Sequence, residues 1–216
     1  MNNNLTELVM ILDRSGSMQG LEKDTIGGYN AMLEKQKNGV GDVLVTTILF
    51  DDRAEMIHDR VDIRGIRPIT EKEYYVRGCT ALLDALGDAI KHIECIHKYA
   101  REEDKPGKTI FVITTDGYEN ASKKYSYGDV KRLIEQQKEK SNWEFLFLGA
   151  NIDAVSVAGR VGIAPERAVN YVCDPMGTSL NYDVVSEAVC EVRETGRLKG
   201  AGWKKRIEND YKARKR

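Results

Sequence analysis

Asp13, Ser15 and Ser17 close the run LTELVMILDRSGSM, which extends from Leu5 to Met18. A carboxylate followed by two hydroxyls at alternate positions gathers hard oxygen donors. Such donors suit a hard divalent cation such as Mg2+. Two other segments carry donors of the same kind: Thr80 in Gly78-Cys79-Thr80, and Asp116 in the run ITTDGYENAS. Taken alone, Asp-x-Ser-x-Ser also fits a polar strand-to-helix turn, because small polar residues cap helices. A cation site requires a fold that brings the three segments together.

The chain alternates strand and helix signals. Leu5–Leu12 is almost wholly apolar, as expected of a central parallel strand covered on both faces. Leu21, Ile26, Tyr29 and Leu33 then recur at helical spacing, and Asn38-Gly39 stops that helix. Val43–Phe50 reads as a second buried strand. Asp51-Asp52 turns the chain, and Ala54–Ile63 returns beside it as a more polar hairpin strand at a sheet edge. Arg64–Gly78 is irregular. A long helix is expected from Thr80, with Leu83, Leu86, Ile90, Ile93 and Ile96 on one stripe and Lys105-Pro106-Gly107 after it.

Thr109–Thr114 is the next strand and leads into Thr115-Asp116-Gly117. Ser126-Tyr127-Gly128-Asp129 has the form of a capping box, opening a helix that carries Val130, Leu133 and Ile134. Trp143–Leu148 is a strand, Asp153 opens a short helix, and Ala168–Val172 is a sixth strand. Leu180–Val192 is a final amphipathic helix, closed by Gly196. This order predicts an α/β, Rossmann-like doubly wound fold. Its six-stranded sheet is mostly parallel, with one antiparallel edge strand and helices on both faces. The first and fourth strands then adjoin at the topological switch point, where open α/β sheets bind ligands. Asp13, Ser15, Ser17 and Asp116 would share that crevice, with Thr80 reaching it from a loop. No G-x-G-x-x-G follows the first strand and no Walker motif occurs, so a dinucleotide site is not implied.

The 216 residues suffice for one compact domain, and a composition 41% apolar and 31% charged is that of a globular chain. No apolar run approaches the roughly 20 residues of a membrane span. The start, MNNNLTEL, lacks the basic and apolar regions of a secretory signal. Cys79, Cys95, Cys173 and Cys190 lie far apart with no CxxC, so reduced thiols in a cytoplasmic protein are expected. His92 and His97 are five apart, off a shared helix face, and with His58 they make no zinc site. Residues 197–216 hold nine Lys/Arg against two Asp/Glu, a net of +7, which leaves −8 for the rest of the chain. The division expected is a domain over 1–196 and a basic tail over 197–216. Trp203 and Tyr211 among the basic residues suit nucleic acid, an acidic protein, a solvated terminus or a segment folded back on the acidic body.

The full pattern, Asp-x-Ser-x-Ser then a Thr then an Asp, resembles the metal-ion-dependent adhesion site of von Willebrand factor type A domains. The resemblance covers roughly residues 5–195, and DRSGSM, GCTALLDAL and TTDGYEN are similar to the bacterial cytoplasmic branch. It implies a divalent cation, Mg2+ first with Mn2+ or Ca2+ as alternatives. The implied donors are Asp13, Ser15, Ser17, Thr80 and Asp116. It implies a binding module and not an enzyme, in which an open coordination position takes a Glu or Asp carboxylate from a partner protein, within a bacterial intracellular assembly. Exchange of Thr80 and Asp116 as direct ligand is likewise implied. Two carboxylates only balance the ion's charge, so it stays electrophilic. Two other readings stand beside this one. A metal-dependent hydrolase, such as a phosphatase, fits a Lewis-acid ion, but the motif segments hold no His and no paired nucleophile. An RNA-associated protein would use the basic tail.

Other polar residues carry expectations of their own. Asp51-Asp52 reads as a solvated hairpin turn in preference to a second cation site. Asp84 either orients a metal-bound water or serves the helix dipole. Glu119 and Asn120 line the crevice rim, or Asn120 caps a loop. Arg14 and Arg77 read as exposed charges that could steer an acidic partner. Tyr125 and Tyr127 read as packing on the helix that follows them, with a contact surface as the alternative.

Overall fold

The computed structural model describes residues 1–214. Strand β1, Asn2–Asp13, has β2, Asp42–Phe50, on one side and β4, Pro106–Thr115, on the other. β3, Ala54–Asp62, returns antiparallel along the outer edge of β2. β5, Glu144–Gly149, and the short β6, Ala168–Asn170, complete the opposite side. The sheet order is β3-β2-β1-β4-β5-β6, with every pair parallel except β2–β3. The expected doubly wound α/β architecture is therefore the observed one.

Strand alternation sends successive β1 side chains to opposite faces, and both faces are covered. Leu8, Met10 and Leu12 join a core with Tyr29, Met32 and Leu33 of α1, Glu22–Lys37, and with Val184, Val185 and Val189 of α5, Pro175–Thr195. Val9 and Ile11 face the other way. They pack with Leu82, Leu86 and Ile90 of α2, Leu82–Tyr99, with Val130 and Ile134 of α3, Tyr127–Ser141, and with Val157 of α4, Ala154–Arg160. Each fully buried aliphatic side chain contributes about 1.5–3 kcal/mol, so β1 is fixed from both sides. α3 opens with the expected capping box: Ser126 Oγ accepts from Asp129 N at 3.2 Å, and Asp129 Oδ2 accepts from Ser126 N at 3.0 Å. Among the described residues no helix is long and apolar enough to cross a membrane, and the four cysteines are free thiols.

Several element boundaries differ from expectation, β1 and β4 each starting three residues early, at Asn2 and Pro106. α2 begins at Leu82 and not at Thr80, because the Thr80 carbonyl accepts from Asn120 N in place of a helical N–H. α5 begins at Pro175, five residues before Leu180. Asp174 caps it, accepting from Gly177 N at 2.7 Å, and a proline is well placed in a first helical turn. β6 stops at Asn170.

The larger correction concerns residues 197–216. Over its described part this segment is no tail: it forms a turn at Gly202–Lys204 and a sixth helix, α6, Lys205–Arg214. Leu198 and Ile207 are buried in the core on the α1 and α5 side, with Trp203 packed against it. Buried Lys204 donates to the carbonyls of Pro165 at 2.7 Å and Ala168 at 2.8 Å. Trp203, Ile207 and Tyr211 recur every four residues, an apolar stripe that the basic charge hides. Lys215 and Arg216 lie outside the described residues.

Candidate metal centre

β1 and β4 are hydrogen-bonded neighbours, with Leu12 opposite Thr114, so Asp13 and Asp116 leave the sheet side by side. Beyond Asp13 the chain turns at once. Ser15 N donates to Asp13 Oδ1 at 2.7 Å, an Asx turn, and a single helical turn at Gly16–Met18 brings Ser17 back over it. Ser15 Oγ and Ser17 Oγ stand 3.1 Å apart, and Ser17 Oγ donates to Asp116 Oδ1 at 2.5 Å. Thr80 arrives from the other side. A β-carbon on Gly117 would lie 3.1 Å from Thr80 Oγ1 and 3.3 Å from Ser17 Oγ, so both hydroxyls border one small space that a side chain at 117 would fill. The structure thus brings Asp13, Ser15, Ser17, Thr80 and Asp116 together at the switch point.

Asp13, Ser15, Thr80 and Asp116 are buried, whereas Ser17 is exposed. Burial pushes the Asp13 carboxyl up to about 6 from its usual 3.8, against hydrogen bonds from Ser15 and Thr115 that favour its charge. Burial also raises Asp116, against hydrogen bonds from Ser17 and Cys173. Among the described residues no basic side chain pairs with either carboxylate: Arg14, the residue after Asp13, turns away to Asp51 and Glu55. Two buried carboxylates without a counter-charge, ringed by three neutral hydroxyls, make a donor set that fits a divalent cation. The site is oxygen-rich and not a cluster of charged ligands; among the described residues no group of three or more His, Cys, Asp and Glu could hold a metal.

Several supporting residues escape a reading of the sequence. Thr115 Oγ1 donates to Asp13 Oδ2 at 2.5 Å, and the buried Tyr74 hydroxyl donates to the Asp13 carbonyl at 2.6 Å. Cys173 Sγ lies 3.8 Å from Asp116 Oδ2. Thr115 was accessible as the direct neighbour of Asp116. Tyr74 and Cys173 have no local signal, and only the fold brings them in.

Other expectations need correcting. Arg14 is fully buried and not an exposed charge. Asp51 is buried too, accepting from Arg14 Nε and Arg77 Nε at 2.8 Å each, so it is no solvated turn. Both guanidiniums hold its carboxyl below the usual range against the effect of burial. The Asp84 carboxylate accepts the N–H groups of Lys123, Lys124 and Tyr125, so it does more than serve the dipole. Asn120 is a clamp, with Oδ1 accepting from Thr80 N at 2.9 Å and its own N–H donating to Thr80 O at 3.0 Å. Glu119 ties two elements together. It accepts from Leu83 N, Ala121 N and Ser122 N, which ties the β4 loop to the start of α2. Tyr125 packs on Gly87 of the preceding helix, α2, and Arg160 of α4 covers the Tyr127 ring. His92 and His97 pair separately with Asp59 and Glu7.

No known family model matches the sequence, and no curated protein matches it. Solved structures do resemble it. A mussel byssus protein, proximal thread matrix protein 1 with a zinc-occupied MIDAS motif, aligns at TM-score 0.58 and 14% identity, over 86% of this chain and 46% of that one. A von Willebrand factor type A protein from Catenulispora acidiphila aligns at TM-score 0.55 and 14% identity, over 86% and 42%. The vWF domain of the type V pili tip protein Mfa5 from Porphyromonas gingivalis aligns at TM-score 0.57 and 11% identity, over 90% and 97%. The chain spans less than half the length of the first two. At these identities the likeness establishes the fold, which is that of von Willebrand factor type A domains.

Proposed function

We propose that this chain is a von Willebrand factor type A module that binds a divalent cation and, through it, a carboxylate of a partner protein. Asp13, Ser15, Ser17, Thr80 and Asp116 would hold the ion, with Mg2+ the preferred occupant and Mn2+ or Ca2+ able to replace it. The reading rests on one observation: two buried carboxylates, without a basic partner among the described residues, converge with three hydroxyls at the switch point. The zinc-occupied motif in the mussel structure supports the same chemistry. A bound cation supplies the positive charge that the two carboxylates lack. The residues do the rest. Ser15 N and Thr115 Oγ1 orient the two oxygens of Asp13, and Ser17 and Cys173 contact the two oxygens of Asp116. The net charge of the filled site is near zero, so an anionic side chain can approach it without repulsion. A cytoplasmic bacterial assembly is the setting proposed for that partner.

Thermal melts test the metal. Cation at about 100-fold above its dissociation constant adds about 2.7 kcal/mol, or roughly 5–10 °C for a domain this size. We expect that rise over EDTA in wild type and none in Asp13→Ala. Equal shifts in both proteins would place the ion elsewhere. The hydrolase reading gains nothing from the site: among the described residues His92 and His97 pair with Asp59 and Glu7 and His58 contacts Tyr29, so no imidazole stands by the five donors as a general base.

A further inference from the structure

Thr80 is the one proposed donor that no strand end positions. It closes a stretch between β3 and α2 with little regular structure, yet Mg2+ accepts oxygens only near 2.0–2.1 Å. Something must hold this stretch against the β1 turn. Asp51, in the β2–β3 hairpin, makes the decisive contacts although it bonds to none of the five donor side chains. Its carbonyl accepts from Ala81 N, next to Thr80, at 2.8 Å. Its Oδ2 accepts from Arg77 Nε, three residues before Thr80, and from Arg14 Nε, next to Asp13. One carboxylate oxygen therefore joins the two segments that carry Asp13 and Thr80. The backbones meet at the same seam: Arg77 N donates to Arg14 O at 2.9 Å, and Gly16 N to Gly78 O at 3.1 Å. Tyr75 sits between the two guanidiniums, its centroid 5.3 Å from Arg14 Cζ and 5.2 Å from Arg77 Cζ.

We infer that Asp51 is a positioning residue for the cation site, fixing where Thr80 stands relative to Asp13 by clamping Arg14 and Arg77 on one carboxylate. The inference rests on the metal reading proposed above. Arg14 is fully buried and Asp51 nearly so, which makes their pairing rigid and its loss costly. Arg77 is half exposed. Without the Asp51 charge it turns to solvent, and the loop before Thr80 loosens. Outer-shell partners of metal ligands typically govern about 10–100-fold of affinity.

The test is titration with Mn2+ alone of wild type, Asp51→Asn, Thr80→Ala and the double variant, all with folding checked by circular dichroism. Asp51→Asn should weaken Mn2+ binding by about 10-fold or more. If Asp51 acts through Thr80, the double variant should bind within about 2-fold of Thr80→Ala, because coupled residues are not additive. Wild-type affinity in Asp51→Asn would overturn the inference. So would full additivity, which marks a general loss of stability. If Asp51→Asn does not fold, Arg77→Ala takes its place in the same cycle, with a smaller loss that again vanishes in the Thr80→Ala background. Absence of saturable Mn2+ binding by wild type overturns the metal reading itself, a result distinct from the others.

Discussion

At the residue scale, Asp13 makes the site measurable without a partner. Its carboxyl titrates near 6 in the folded chain, against 3.8 in its ordinary state. Between those values the folded chain holds a proton that the unfolded chain has released. Metal-free stability therefore falls as the pH rises from about 4 to 6, and the whole penalty is present above 6. The difference corresponds to at most about 3 kcal/mol. In EDTA, wild type should melt higher at pH 5 than at pH 7.5, and Asp13→Asn should show a smaller difference. An unchanged pH profile in Asp13→Asn would contradict the assignment. The donors were legible in the sequence because their types and order are local to three short motifs. Arg14 and Asp51 were not, since their charged partners stand 26 to 41 residues away. Sequence shows a charge, but only the fold shows whether another charge meets it.

At the element scale, the loop entering α2 is pinned more tightly than its irregular sequence suggests. Gly78 adopts φ +66°, and a β-carbon there would stand 2.5 Å from Asp52 Oδ1. Gly78→Ala should cost about 1–2 kcal/mol in backbone strain alone and also weaken Mn2+ binding, because Gly78 O receives the Gly16 N–H. Gly200→Ala, at φ +68° with open space around it, is the control: a similar backbone cost with unchanged affinity. Equal affinities in the two variants would show that the loop does not shape the site. Element order and type followed from apolar periodicity, and the α3 capping box from four residues. The start of α2 did not, because the Thr80 carbonyl, which would accept the first bond of a helix begun there, accepts instead from Asn120 N.

At the scale of the whole molecule, the last described helix belongs to the core. Deleting residues 197–216 removes buried Leu198 and Ile207, which together contribute on the order of 3–6 kcal/mol. A fall in Tm on the order of 10 °C is expected. Loss of RNA binding on truncation would therefore report unfolding as readily as contact. Reversing the exposed Lys205 and Lys212 to Glu tests the RNA reading with the fold intact, and RNA retention by that variant at low salt would exclude these two lysines as the contact. The sheet has one more consequence. Asp13 ends the strand that begins at Asn2, and that strand is paired in parallel with β2 on one side and β4 on the other. Tension applied between Asp13 and Asn2 runs along this one central strand. The covalent backbone of β1 carries that load, and neither hydrogen-bond ladder has to open or slide. Traction in that direction meets the molecule where it yields last.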